Sequence, residues 1–327
     1  MTRTIFVSGA TGHQGRNVLN HLLKSNQNQN LHIKAFARKE EELRTLRNMT
    51  DSSKSGNRHR VEHIVGDLRD SEQTFPAISG CDCVILITNY AAFSDDINEG
   101  CRVETSVGRR IMSEAINAGV KDFVYSSVAG AGVDRNVPHF WSKKLIEDEL
   151  ERNRDKFRSL QIVRLCSFME NIEQNEHIKR RLSQERKLAL PLPKETKMNV
   201  VCLADVGRAL ADCALNPHLL DHHNGIIELA AEIISIEEIC RELNVEFEEA
   251  DPFSIPEAYR NMYTLFKEGK IQPSVVDSNK YWPTMTSFRE WARRSFGAQT
   301  GSRIDLRKEI DLPMKEPLAG GISFKEG

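Results

Sequence analysis

The chain has 327 residues, with 39% hydrophobic and 28% charged, and a formal net charge of -2 from 45 basic and 47 acidic side chains. That length suits two domains of about 150 residues or one large domain with a lobe, and the composition excludes a disordered chain. The balanced charge argues against a general polyanion binder, and no apolar run reaches the ~18 residues of a membrane span.

Met1 to Thr4 leads at once into strand-like sequence, so no secretory leader is expected. The seven cysteines are scattered and none forms Cys-x-x-Cys. That usage points to a reducing compartment, cytosol or nucleus, with neither a disulfide framework nor a zinc site.

Strand-like and helix-like segments alternate through the first half. Thr4 to Ser8 is a β-branched run, and Gly15 to Lys24 carries Val18, Leu19, Leu22 and Leu23 at helical spacing. Leu31 to Ala37 alternates as a strand, and Glu40 to Met49 is a charged helix. Strands follow at His59 to Val65, Cys81 to Thr88, Asp122 to Ser127 and Leu160 to Leu165. Helices fill Glu99 to Ala118 and Trp141 to Arg154. This pattern predicts βαβ units, a doubly wound α/β parallel sheet with helices on both faces. Asn26 to Asn30 reads as a turn and Asn48 to Arg60 as a solvated loop.

Beyond residue 165 the pattern loosens. Strands are expected at Val200 to Leu203 and Ile226 to Ala230. Helices are expected at Ala204 to Leu215 and Ser235 to Leu243, the latter with a capping-box signal. The resulting division is 1–165 as the main domain, 166–299 as a small α/β lobe, and 300–327 as a polar tail. The basic groups Lys179-Arg180-Arg181 and Arg186-Lys187 read as a solvated helix face, and His222-His223 as an exposed loop rather than metal ligands.

The main motif is Gly9-Ala10-Thr11-Gly12-His13-Gln14-Gly15, placed between the first strand and the first helix. Glycines at this spacing let backbone approach a pyrophosphate, and the following helix N-terminus offers N–H groups to the anion. A dinucleotide is the expected ligand. After the second strand, where NAD sites usually carry an acid, stand Arg38 and Lys39, which favour a 2′-phosphate and hence NADP(H) over NAD(H). Asp67 and Leu68 follow the third strand; Asp67 would accept from the adenine amino group or cap the next helix. Thr88, Asn89 and Tyr90 follow the fourth, at the strand ends where ligands of such sheets lie.

The order of these segments resembles the atypical short-chain dehydrogenases/reductases, specifically the NmrA-like family. The supporting stretches run from VSGATGHQGRNV (7–18) through ARK (37–39), GDLRD (66–70), ITNY (87–90), NAGVKDFVYSS (117–127), HFWSK (139–143) and SFMEN (167–171) to MNVVCLADVG (198–207). The resemblance covers roughly residues 3 to 245. In the wider group a Tyr four residues before a Lys supplies a proton, the Lys holds the nicotinamide ribose, and a Ser after the fifth strand assists. Here Lys143 is present, Ser126 and Ser127 end the fifth strand, and His139 stands where the Tyr would be.

The resemblance therefore implies an NADP(H)-binding redox sensor or regulator with weak or no dehydrogenase activity, acting through a protein partner. The alternative it leaves open is an NADP-dependent reductase of a small carbonyl or enone. In that case Lys143 is the key group, His139 donates a proton, and Ser127 or Ser126 orients the substrate. His139 otherwise packs locally. The resemblance also puts Ser167, Phe168 and Asn171 near the nicotinamide. Cys166 beside them reads either as a small buried hydrophobe or as a redox-sensitive thiol.

Overall fold

The computed structural model describes residues 2–25, 29–51, 59–174 and 176–296. The turn at Asn26 to Asn30 and the loop at Asn48 to Arg60 lie partly outside the described residues, and the tail from Thr300 lies wholly outside them.

The alternation expected from the sequence is present. It runs β1 (Thr2–Val7), α1 (His13–Lys24), β2 (Asn30–Ala37), α2 (Glu40–Asp51), β3 (Arg60–Val65), α3 (Ser71–Ile78), β4 (Cys83–Ile87), α4 (Ile97–Asn117), β5 (Asp122–Val128), α5 (Pro138–Arg152) and β6 (Ser159–Leu165). All of β4 is buried, the condition of a strand covered on both faces. Local signals set the helix starts. Asp70 caps α3 by accepting from the Glu72 N–H, Asp96 caps α4 through the Glu99 N–H, and Pro138 opens α5.

The chain continues with β7 (Ser167–Phe168), α6 (Asn171–Gln174), α7 (Glu176–Gln184), β8 (Lys187–Leu190), β9 (Lys197–Val201), α8 (Leu203–Leu215), β10 (Ile226–Leu229), β11 (Glu232–Ser235), α9 (Ile236–Leu243), β12 (Glu246–Glu249), α10 (Glu257–Lys267), α11 (Val275–Tyr281) and α12 (Phe288–Phe296). Seven strands form one parallel sheet in the order β10-β6-β5-β4-β1-β2-β3. The order reverses between β1 and β4, so a crevice opens there at the carboxyl ends of the strands. Val18, Leu22, Val206 and Leu210 cover one face of the sheet, from α1 and α8. Val107, Ile111 and Ile146 cover the other, from α4 and α5.

The sequence reading gathers residues 166–299 into one lobe, whereas the structure divides them between two places. Helix α8 lies in the layer of α1. Strand β10 pairs in parallel with β6, Ile227 beside Val163 and Leu229 beside Leu165. Helix α11 is tied to the same edge, since the Ser278 hydroxyl donates to the Glu228 carbonyl and accepts from the Ala230 N–H. The apolar inward residues of β10 and the open edge of β6 satisfy one another.

The remaining elements build the lobe around a core of its own, which includes Leu188, Val200, Ile239, Met262 and Phe288. Its sheets are β11-β9-β7, with β9 and β11 antiparallel, and the parallel pair β8-β12. The segment holding α10, α11 and α12 is one for which the sequence pattern predicts no element. In the basic face of α7, Arg181 is bound to Glu185 and Glu248. No described helix is long and apolar enough to cross a membrane.

Candidate functional site

The glycine loop is shaped by close backbone approach. Gly9 has φ +58°, a region that disfavours side chains. A Cβ on Gly15 would lie 2.2 Å from the Gly9 carbonyl oxygen and 2.7 Å from the Ala10 Cα, so only glycine fits there. Gly12 is the N-cap of α1 with extended backbone, and its N–H donates to the Gly9 carbonyl at 2.9 Å. Ser8 pins the loop from beneath. Its hydroxyl donates to the Ile87 carbonyl at 2.8 Å and accepts from the Ile87 N–H at 2.7 Å. The N-terminal turn of α1 thus faces the crevice with a fixed cradle in front of it.

One end of the crevice is lined by Arg38, Glu42, Leu68, Thr88 and Asn89. The Arg38 guanidinium donates to the Ala92 carbonyl at 2.5 Å. Glu42 was not foreseen. Its carboxylate accepts from the Thr11 hydroxyl at 2.8 Å and lies 3.6 Å from the Lys39 ammonium. The signal available for it was its place in the first turn of α2, directly after the Arg-Lys pair. Asp67 is gripped by Arg69, which holds its carboxyl below the usual carboxylate range. Asp70, not Asp67, caps α3, so the helix-capping alternative for Asp67 falls. Lys39 and Asp67 stand outside the residues that line this crevice.

The other end runs beneath the lobe. Lys143, on the second turn of α5, is buried. Its Nζ donates to the Thr88 carbonyl and hydroxyl, each at 2.8 Å, and lies 2.9 Å from Glu104 Oε1. Glu104 is fully buried and also accepts from the Ser142 hydroxyl at 2.6 Å. The Ser127 hydroxyl donates to Glu147 at 2.5 Å, and Arg164 grips the same carboxylate at 2.7 and 3.0 Å. Ser126, on the opposite face of β5, donates to the Gln14 side chain at 2.6 Å.

His139 does not sit as a proton donor would. It is 4% exposed. Burial lowers its pKa to about 4, so at pH 7 the ring is neutral and holds no spare proton. Its Nε2 lies 3.3 Å from the Met262 Sδ, and its Nδ1 is a buried nitrogen with no hydrogen-bond partner. The rings of Tyr90, Phe140 and Tyr259 surround it, and the Tyr90 and Tyr259 hydroxyls share a 2.6 Å hydrogen bond. Tyr259, from α10, was missed because sequence alone does not bring the lobe to this spot.

Ser167, Phe168 and Asn171 line the cavity that Lys143 and His139 also face. Asn171 Oδ1 is buried and without a partner. Beside Asn171, Gln174 reaches back to the glycine loop, 3.0 Å from His13 Nδ1. Burial and the nearby Arg16 lower the His13 pKa to about 4. The crevice and the cavity share Gln14 at their junction. Burial pushes the Cys166 thiol well up, so at neutral pH it is a protonated small hydrophobe, not a reactive thiolate. Among the described residues no group of three His, Cys, Asp or Glu side chains could hold a metal.

Residues 1–250 match the NmrA-like family over more than three quarters of the chain. The chain belongs to the NmrA-like family. An NmrA-like family domain-containing protein of Dictyostelium discoideum is 28% identical over 133 residues, 40% of this chain and 37% of that protein. Sterol demethylase protein B of Methylococcus capsulatus is 30% identical over 129 residues, 39% of this chain and 35% of that protein. The chain thus spans little more than a third of the length of these curated relatives.

Among solved structures, the Citrobacter triphenylmethane reductase complexed with NADP(H) superposes with a TM-score of 0.67 at 17% identity, covering 90% of this chain and 99% of that one. The NADPH-dependent quinone oxidoreductase of Escherichia coli, complexed with NADPH, gives 0.66 at 15% identity, covering 90% and 100%. NmrA, a negative transcriptional regulator, in complex with NAD gives 0.63 at 17% identity, covering 90% and 95%. These likenesses establish the Rossmann-type fold of this NmrA-like chain.

Proposed function

We propose that this protein binds NADP(H) and serves as a redox-responsive regulatory protein with weak or no dehydrogenase activity. One observation carries the reading: the groups a reductase would use are committed elsewhere. Lys143 is saturated by Thr88 and Glu104, Ser127 by Glu147, and His139 is neutral in the place of the missing Tyr.

The residues fit a dinucleotide. The cradle that Gly9 and Gly15 keep open would hold its pyrophosphate, with Thr11, Gly12, His13 and Gln14 around it. Arg38 and Lys39 would face a 2′-phosphate, and Asp67 and Leu68 the adenine. Thr88, Asn89, Tyr90 and Lys143 would take the second ribose. The orphaned Asn171 Oδ1, with Ser167 and Phe168, would meet the carboxamide. When bound, the group supplies a hydride. The free state of all seven cysteines accords with a reducing cytosol or nucleus, where a protein partner would read the NADPH/NADP⁺ ratio.

The test is calorimetric titration with NADP⁺, NADPH, NAD⁺ and NADH, beside Arg38→Ala, followed by a search for cofactor consumption. Tighter binding of the phosphorylated forms, weakened by the substitution, supports the reading. Absence of nucleotide binding overturns it.

A second reading is an NADP-dependent reductase of a carbonyl or enone. The observation in its favour is the apolar cavity that adjoins Lys143. It requires steady turnover that Lys143→Ala abolishes.

A further inference from the structure

The basic run Lys179-Arg180-Arg181 on α7 has no place in the cofactor reading, and it stands just ahead of Ser183. Three serines of the sequence follow an arginine by three residues: Ser113, Ser167 and Ser183. Of these, Ser183 alone has a second arginine two residues before it. Guanidinium groups spaced in this way ahead of a serine are what the acidic substrate groove of an arginine-directed kinase reads, through charge-assisted contacts.

The fold separates the three serines. Ser167 lines the inner cavity, and the arginine before it, Arg164, is spent on Glu147. Ser113 is exposed, but it lies inside the 21-residue α4 between Met112 and Ala115 of the core. Arg110 before it donates to the Leu68 carbonyl and to the Thr74 hydroxyl. A kinase takes its substrate extended, so reaching Ser113 means dismantling a helix that covers one face of the sheet.

Ser183 sits in the last turn of α7, exposed, its hydroxyl donating to the Arg180 carbonyl at 3.0 Å. Gln184 and Glu185 after it are exposed, and Arg186, with φ +57°, lies just past the end of the helix. Opening this end releases Leu182 from the lobe core and frees Arg181 from two partly exposed carboxylates. Pairs of that kind are worth little, so the opening is a local event and not the unfolding of the lobe.

We propose that Ser183 is a phosphorylation site for an arginine-directed serine kinase, and that Lys179 and Arg180 receive the phosphate. The γ-phosphoryl group of ATP passes to Ser183 Oγ. The new P–O bond forms as the bond from the γ-phosphorus to the β–γ bridging oxygen breaks, ADP leaves with that electron pair, and the hydroxyl proton goes to the kinase's base. Residues three and four positions before Ser183 share its face of the helix, and these are the exposed Arg180 and Lys179. The acids nearby are already engaged: Arg181 holds Glu185 and Glu248 at 2.8 Å each, and Lys187 lies 3.4 Å from Glu248. The phosphate brings a charge of about −1.5 to −2 at pH 7. The negative end of α7 opposes it by less than one charge-assisted contact supports it. Phosphorylation therefore cancels the basic face of α7 and leaves the helix folded. Nothing in this depends on a bound dinucleotide.

The experiment treats the full chain with the catalytic subunit of cAMP-dependent protein kinase and ATP, and maps the product by mass spectrometry. A synthetic peptide of residues 177–189 reports what the kinase does without the fold. One phosphate per chain is expected, at Ser183. Ser183→Ala abolishes uptake, and Arg180→Ala slows it about ten- to hundredfold, the worth of one charge-assisted contact. Uptake by the peptide but not by the folded chain means that α7 hides the serine, and overturns the proposal. So does uptake by neither, a phosphate on Ser113 or Ser167 in place of Ser183, or a rate indifferent to Arg180→Ala. The second half of the proposal is read by phosphorus NMR. The titration midpoint of the phosphorylated chain should fall below the value of about 6 for a free phosphoserine. It should move back toward 6 in Lys179→Ala, which keeps both arginines. A midpoint of about 6 in the unaltered chain overturns the assignment of Lys179 and Arg180.

Discussion

Replacing Lys143 by Met removes a charge from a place with no water to replace it. Lys143 is 7% exposed along its side chain and Glu104 is fully buried, at 2.9 Å. Their gross attraction is about 6 kcal/mol at an effective dielectric of about 20, most of it offset by the cost of burying both ions. Removing only the lysine leaves the Glu104 carboxylate stranded, held by the Ser142 hydroxyl alone of these two partners. A broken buried pair of this kind costs about 3–5 kcal/mol, or roughly 6–10 °C of melting temperature for a chain this long.

Lys143→Met together with Glu104→Gln removes both charges and keeps an acceptor for Ser142. The double variant should recover to within about 1–2 kcal/mol of the unaltered protein, about 2–3 kcal/mol better than Lys143→Met alone, so that the two single losses do not add. Urea unfolding of the four proteins measures this cycle. A loss below about 1 kcal/mol in the single variant, or a double variant that merely adds the two losses, would falsify the account of a tight buried pair. NADP(H) titration of the restored double variant then separates two roles. Recovered stability without recovered affinity marks Lys143 as a ribose ligand; recovery of both leaves it a structural ion.

Other outcomes follow from the same geometry. Gly15→Ala forces a Cβ against the Gly9 carbonyl; calorimetry should show cofactor binding lost, and thermal melting a cost of about 1–3 kcal/mol. Arg38→Ala should weaken NADP⁺ about 10- to 100-fold, the worth of a charge-assisted contact, with NAD⁺ little changed; an equal loss for both would show that Arg38 does not read the phosphate. Glu42→Gln should shift the NADP⁺/NAD⁺ affinity ratio toward NADP⁺ about three- to tenfold, because it removes a carboxylate beside Lys39 and Arg38 that would repel the like-charged 2′-phosphate. His139, with a folded pKa of about 4 against an ordinary 6.5, takes up its proton first in the unfolded chain as pH falls, so stability drops with pH between 6.5 and 4. Between pH 7 and 5 this one group should cost about 2 kcal/mol. His13 adds to the drop, while Glu170, raised by burial to about 7, opposes it. The informative quantity is therefore the difference: His139→Phe should lose about 2 kcal/mol less than the unaltered protein over that range, and parallel curves would refute the buried, neutral ring.

The first six strands and the glycine loop were legible because each signal is local. Thr4 to Ser8 is β-branched, Val18 to Leu23 repeats at helical spacing, and the glycines sit between them. The boundaries moved by only a few residues, as where Pro138 starts α5 three residues before the expected Trp141. The lobe was not legible for the opposite reason. Strands β7, β8, β11 and β12 have two to four residues, too short to show a period, and pair across distances that only the folded chain brings together. Site residues followed the same division. The candidates Gly9 to Gly15, Arg38, Lys143 and His139 stand in sequence motifs, while Glu104, Glu147, Tyr259 and Met262 enter only through what they touch in the fold. For His139 the sequence leaves proton donor and local packing both open, since only the packed rings of Tyr90, Phe140 and Tyr259 show how dry its surroundings are.

The late return of the chain to β10 has a consequence for how the molecule is made and cut. A ribosome releases β6 some sixty residues before its edge partner, since Leu165 precedes Ile226. Until then that edge offers unpaired N–H and C=O groups to any neighbour, and the face awaiting α8 is bare. Removing everything after Leu165 would fix the molecule in that state and yield an aggregating sheet rather than a smaller working domain. The lobe is in effect a pair of excursions thrown out from a sheet that closes last, so a protease that cuts the first of them, between β7 and β9, leaves both halves held together by β10 and α8.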